Sequence, residues 1–174
     1  MAETLVTLKT RRSCRAYRPE LIEEEKLDAI IEAGTYAATG MGKQSPVIIS
    51  VRDKELRDRI SAMNAKIMGQ GEGFDPFYGA PEFLIVLADK SIPTHVYDGS
   101  LVLGNLMNAA ADLGVGSCWI HRAKEEFESP EGKEILRSLG IGDGYEGIGH
   151  LALGYPAAPD KEAAARKENY VYYA

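Results

Sequence analysis

The chain has 174 residues with 20 basic and 26 acidic side chains, a formal net charge of -6, which suits one independently folding domain and excludes a global basic field for nucleic acid or an anionic membrane. Its two cysteines, Cys14 and Cys118, stand far apart with no CxxC or metal-ligand spacing, so a reduced compartment is expected, with neither a disulfide scaffold nor a metal. Polar and acidic residues by position 3, and apolar runs of strand length only, predict a soluble cytoplasmic protein without a secretory leader or membrane span.

Leu5, Val6 and Leu8 fit one face of a short helix over residues 2–10, which delivers the cluster Arg11-Arg12-Ser13-Cys14-Arg15. Arginine presents a rigid fork of donors that matches phosphate oxygens, and Ser13 adds a neutral donor, so the cluster suits an anion. A solvated basic helix end that complements the helix dipole is the plainer alternative. Tyr17 and Pro19 stop that helix. A second helix spans 23–38: Leu27, Ile30, Ile31, Gly34 and Ala38 recur at helical spacing, and Glu23, Glu24 and Glu25 enrich its first turn.

Residues 39–46 (Thr39-Gly40-Met41-Gly42-Lys43-Gln44-Ser45-Pro46) lead into the strand 47–51 and read either as a ligand-binding loop or as a connector. A third helix starts at Asp53, with Leu56, Ile60, Met63 and Ile67 on one side. Glycines, prolines and the aromatics Phe74, Phe77 and Tyr78 make 69–81 either a mobile lid or a surface loop whose aromatics tuck onto the core. The run 82–88 is apolar almost throughout, as for a strand covered on both faces.

Residues 98–113 form a helix apolar around most of its circumference, with Gly99 and Gly104 allowing another helix to approach and Gly114 placed as its cap. A strand over 115–120 follows and ends at His121-Arg122. Ser129-Pro130 starts a helix that Gly140 ends, and a strand over 148–153 closes on Gly154-Tyr155-Pro156. The tail beyond is polar and Ala-rich, carries Lys161, Arg166 and Lys167, and finishes on the β-prone Tyr170-Val171-Tyr172-Tyr173. No Rossmann or Walker-type glycine loop sits at a strand-to-helix turn. The pattern is mixed α and β, with four or five strands and helices on both faces.

These residues together resemble the flavin-dependent nitroreductase family over almost the whole chain. The marks are Arg11-Arg12-Ser13-Cys14-Arg15-Ala16-Tyr17, the loop ending Lys43-Gln44-Ser45-Pro46, and Gly79-Ala80-Pro81 before a buried strand. They continue with Asp98 opening the buried helix, Gly116-Ser117-Cys118-Trp119-Ile120, and Ala152-Leu153-Gly154-Tyr155-Pro156. The resemblance implies a three-layer α+β fold with a central, mostly antiparallel sheet and helices on both faces. It implies a single domain over 1–174 whose tail, 156–174, docks on a partner subunit, and a homodimer with FMN between subunits. By position, Arg11, Arg12, Ser13 and Arg15 are the phosphate and ribityl contacts, and Thr39, Gly40, Gly42 and Gln44 are the partner's contribution along the ring edge. Ile120, His121 and Arg122 fall against the ring, and Arg166, with Lys161 and Lys167 as alternatives, returns to the phosphate. Gly42 stands where the family often has Asn, Ala164 breaks the usual Lys-x-Arg spacing, and the lid is short.

The implied activity is electron transfer from NAD(P)H through flavin N5 to a small-molecule acceptor, nitroaromatic, quinone or similar, in ping-pong order. No nucleophile motif surrounds His95, His121 or His150, which fits chemistry carried by a cofactor; His121 is either a proton donor or a solvent-facing residue. Cys14 is a redox thiol or a small packing residue, and Cys118 and Trp119 are core. Two alternatives remain: a non-catalytic flavin carrier or sensor, and a flavoenzyme of the same fold with another reaction such as reductive dehalogenation.

Overall fold

The computed structural model describes residues 3–174; Ala2, expected to open the first helix, lies outside them. Its centre is strand β2 (Glu82–Asp89), whose run Phe83-Leu84-Ile85-Val86-Leu87-Ala88 is buried on both faces. Side chains alternate across a strand, so such a run requires a layer on each side of the sheet. The other strands are β1 (Pro46–Val51), β3 (Gly116–Ile120) and β4 (Tyr145–Gly154), in the antiparallel order β1-β2-β4-β3. Among the described residues four strands form, at the lower end of the expected range.

One face of the sheet, with Leu84, Val86 and Leu151, packs on α2 (Glu24–Thr35) through Leu27 and Ile30 and on α4 (His95–Asp112) through Val102, Leu103 and Leu106. The other face, with Phe83, Ile85 and Leu87, packs on α3 (Lys54–Ile67), α5 (Ala123–Glu128) and α6 (Pro130–Ser138) through Ile60, Phe127 and Leu136. Each fully buried Leu, Ile or Phe contributes about 1.5 to 3 kcal/mol. The three-layer α+β arrangement is therefore the expected one, and helix α5 is an addition that the sequence reading passed over. No helix among the described residues is long and apolar enough to cross a membrane.

Helix ends differ from expectation in instructive places. Helix α2 stops at Thr35, with Tyr36 N–H donating back to the Ala33 carbonyl, so Ala38 is outside it and exposed. Helix α4 starts at His95, one turn before Asp98, because the 92–95 turn feeds directly into it. Asp53 caps α3 by accepting from Leu56 N at 2.8 Å, and Ser129 caps α6 by accepting from Gly132 N at 3.0 Å. Helix α1 (Glu3–Thr10) buries none of its apolar residues, and Ile67 at the end of α3 is also exposed. Gly99 does not receive another helix: a Cβ there would meet Ile148 Cγ1 of β4 at 2.5 Å, while one at Gly104 would meet nothing within 4 Å.

Residues 69–81 take the tucked form. Phe77 is fully buried and stacks on Phe83 with ring centroids 4.3 Å apart, although Phe74 and Tyr78 remain exposed. Asp75 clasps the loop, accepting from Ser61 Oγ at 2.8 Å, Phe77 N at 2.9 Å and Gly79 N at 2.8 Å, and pairing with Arg57 Nη2 at 2.5 Å.

Candidate functional site

Helix α1 is moored at its end, where Thr7 Oγ1 donates to Asp112 Oδ1 at 3.2 Å, and it hands the chain to the arginine cluster at the C-terminal end of α4. The cluster then runs beside β3: Ser13 bridges Ser117, and Cys14 N donates to the Ser117 carbonyl at 2.9 Å. Cys14 is buried, and a Cβ at Gly116 would lie 2.9 Å from its side chain, so this position packs tightly and needs a small residue. Burial first, then neighbouring Cys14 and Cys118, push the Tyr17 hydroxyl well above its ordinary pKa; it stays neutral and donates to the Cys14 carbonyl at 2.9 Å.

The guanidinium groups are not equivalent. Arg12 Nη1 turns back to the carbonyls of Lys9 at 2.9 Å and Arg11 at 2.7 Å, the helix-end role that the plainer reading assigned to the cluster, while its Nε is buried with no partner. Arg11 is half-buried, Ser13 and Arg15 are exposed, and the Arg15 guanidinium lies 5.9 Å from the centre of the Tyr78 ring. Beside them Ser117 Oγ is buried without a hydrogen-bond partner. It lines a cavity of about 230 Å³ together with Arg11, Arg12 and Gly116, with Asp160 at the rim. Unpartnered buried polar atoms are rare, so the spare donors at this cavity match a small anion.

At the other end of β3 the chain turns through Ile120, His121 and Arg122. Ile120 is buried, His121 is exposed, and Arg122 is held in the left-handed region at φ 81°. Beneath the turn lie Asn64, Glu126 and His150, all fully buried. Asn64 Nδ2 donates to the His121 carbonyl at 2.8 Å and to Glu126 Oε1 at 2.5 Å. Glu126 Oε2 faces His150 Nε2 at 2.7 Å, close but too oblique for a regular hydrogen bond, and His150 Nδ1 lies 3.4 Å from the Ile120 carbonyl.

The 39–45 loop sits at the N-terminal end of α4. Asp98, buried in the first turns of that helix, accepts from Gly40 N at 3.0 Å, Ser45 Oγ at 2.7 Å and Thr94 Oγ1 at 3.1 Å. Burial would raise the Asp98 pKa, but the bonds from Ser45, Gly40 and Thr94 outweigh it and the carboxyl is held below its usual range. Thr39 Oγ1 accepts from Gln44 N at 3.1 Å, and Met41 and Gln44 adopt positive φ. Non-glycine residues in that region cost about 1 to 3 kcal/mol each, and Met41, Gln44, Tyr78 and Arg122 all fall in segments singled out above.

The chain thus joins Arg11, Arg12, Ser13 and Arg15 to the strand leading to Ile120, His121 and Arg122, but not to Thr39, Gly40, Gly42 and Gln44. Asp98, near the start of α4, and Asp112, its last residue, stand about 21 Å apart at ~1.5 Å per residue. Arg166 is not brought in either; its Nη2 donates to the Ala164 carbonyl at 2.6 Å within an exposed tail that forms no strand at 170–173. Sequence reading overlooked Asn64, Glu126 and the free hydroxyl of Ser117, and took Tyr78 only as a loop aromatic. Asn64 and His150 had a visible signal, since each is a polar residue among apolar neighbours of a helix or strand.

Residues 8–73 match the profile described as the Nitroreductase family. An Archaeoglobus fulgidus protein named as an NADH dehydrogenase/NAD(P)H nitroreductase is 30% identical over 161 residues, covering 90% of this chain and 87% of its own. The chain belongs to the nitroreductase family. The crystal structure of a Bacteroides fragilis nitroreductase with bound FMN superposes over 100% of both chains with a TM-score of 0.89 and 31% identity. A Desulfitobacterium hafniense nitroreductase with bound FMN gives a TM-score of 0.90 at 27% identity, over 100% of this chain and 99% of that one. Membership makes the protein an oxidoreductase of this fold, a family whose chemistry is carried on a cofactor that the chain binds and orients.

Proposed function

We propose that the protein is an FMN-dependent oxidoreductase that takes electrons from NAD(P)H and delivers them to a nitroaromatic, quinone or similar small acceptor in ping-pong order. The observation that carries this reading is β3: spare cationic and hydroxyl donors stand at Ser117, and the turn with left-handed Arg122 begins four residues on at His121. At about 3.3 Å per residue the two are about 13 Å apart, room for a mononucleotide laid along the strand. The donor set fits the cofactor. Arg11, Ser13, Arg15 and Ser117 would hold the phosphate and ribityl end, and Ile120, His121 and Arg122 would lie against the ring. Bound FMN supplies a hydride acceptor at N5 and a store for the electron pair.

The chain's own part is to bind, orient and leave one face open. The 21 Å separation across α4 supports a two-subunit site, in which Thr39, Gly40, Gly42 and Gln44 serve the partner's flavin. The exposed apolar residues of α1 and the tail Tyr170–Tyr173 supply surface for that partner, with Arg166 reaching phosphate once the tail docks. His121, being exposed, is open to solvent and to an incoming acceptor.

The purified protein should be yellow, should bleach with NAD(P)H under argon, and should recover colour when a nitroaromatic or quinone is added. A colourless protein that FMN fails to reconstitute would sink the reading.

A further inference from the structure

We propose that Asn64, Glu126 and His150 are positioning residues that aim the peptide N–H groups of His121 and Arg122 out of the core and onto the reacting edge of the bound ring. The inference rests on the FMN reading above and adds the device that orients the turn. All three side chains are fully buried, and the His150 ring is walled by Phe77, Phe83 and Phe127 at centroid distances of 5.3, 5.8 and 6.3 Å. Polar groups in such a wall are costly, and replacing buried charged groups by apolar side chains of similar volume is often neutral or stabilising. Stability alone is therefore a poor reason for their presence.

Apart from one another, the main-chain groups they hold are two consecutive carbonyls. Asn64 Nδ2 bonds the His121 oxygen at 2.8 Å, and His150 Nδ1 lies 3.4 Å from the Ile120 oxygen. In a trans peptide the carbonyl and the following N–H point in opposite directions, and no cis bond occurs here. Drawing the carbonyls of Ile120 and His121 inward therefore turns the N–H groups of His121 and Arg122 outward. Glu126 completes the device by accepting from Asn64 Nδ2 at 2.5 Å, while its other oxygen stands 2.7 Å from His150 Nε2 and leaves that ring no room to turn. The left-handed Arg122, which also accepts from Glu126 N at 3.0 Å and closes the N-terminus of α5, is the backbone consequence. Donors fixed in advance where negative charge accumulates stabilise it without having to reorganise.

The test uses the FMN-loaded protein. Asn64→Leu keeps the shape and removes the donor. It should lower the ratio of reduced to oxidised FMN affinity at least tenfold, about 30 mV for a two-electron couple, with oxidised FMN bound within threefold of wild type. Glu126→Gln keeps the acceptor for Asn64 and should restore most of the wild-type potential. An Asn64→Leu holoprotein with the wild-type potential overturns the proposal. Because that variant can fail to fold, amide hydrogen exchange in the unaltered protein is the second arm: FMN should slow exchange at both His121 and Arg122 at least tenfold. Equal exchange with and without FMN defeats the positioning role alone, whereas failure of the unaltered protein to bind FMN defeats the FMN reading and this inference with it.

Discussion

The 39–45 loop and the 156–174 tail both carry residues expected to reach a flavin bound by the partner or by the docked pair, yet the structure treats them in opposite ways. The loop is short, glycine-bearing and held from below by the buried Asp98 carboxylate through Gly40, Ser45 and Thr94. The tail is exposed throughout, moored at its root where Ala157 N donates to the Ala16 carbonyl at 2.9 Å and Tyr155 OH donates to Glu23. Glycine content alone does not make a segment mobile; what decides is whether a buried acceptor collects its donors. A site half built from the loop is preorganised, while a site half built from the tail must meet the ordering entropy of the tail at the moment of docking.

The largest expected effect removes the hub of the loop. Asp98→Ala leaves the Gly40 N–H and the Ser45 hydroxyl without their acceptor, and bonds to charged groups are worth about 1.5 to 3 kcal/mol each. Urea unfolding should show a loss of about 3 kcal/mol or more, and a loss below about 1 kcal/mol would mean the carboxylate does not hold the loop. Next come Arg11→Ala and Arg15→Ala, which should raise the FMN dissociation constant ten- to a hundredfold, at about 1.4 kcal/mol per decade. Ser13→Ala, Thr39→Ala and Gln44→Ala should each stay within about tenfold, because they remove neutral donors or acceptors. If a loop variant matches an arginine variant in a fluorescence titration, the phosphate end is not the main anchor. With FMN in excess, turnover of the arginine variants should largely return.

Removing residues 158–174 sharpens the other side of the comparison. The far-UV circular dichroism should be unchanged, since the tail carries no regular structure, while light scattering should show self-association weakened about tenfold, or ~1.4 kcal/mol. An unchanged dimer with unchanged FMN affinity would mean the tail docks on nothing that matters. The smallest effect lies at its root. The Tyr155 hydroxyl first, then a backbone N–H and Lys26, hold Glu23 down to about 2. A depressed carboxylate adds stability above its unfolded value, about 4.3, and loses it as pH falls toward the folded value. The melting temperatures of wild type and Glu23→Gln should therefore differ at pH 6 and converge near pH 2.

Much of this was legible in the sequence because it is local. The unbroken apolar run of β2, the caps at Asp53 and Ser129, and the crowding of Arg11, Arg12, Ser13 and Arg15 each follow from neighbours in the chain. What escaped is long-range or belongs to an interface. Asn64, Glu126 and His150 come from a helix, another helix and a strand, so their meeting follows from the sheet order and not from any spacing. Periodicity set Leu5, Val6 and Leu8 on one face of α1, and all three are exposed. Periodicity reports that a face seeks cover, not which molecule provides it.

The bridge between Ser13 and Ser117 has a bearing on solubility. Strand β3 is the last in the sheet order, and an uncovered outer strand offers a template on which another chain can pair and grow. Ser13 and Cys14 lie along that margin and use the Ser117 carbonyl. The segment that gathers the cationic groups is therefore also the hem of the sheet. Anything that peels it away, whether a nick after Thr10 or an insertion between Arg11 and Tyr17, bares the start of β3 and turns a binding defect into an aggregation hazard.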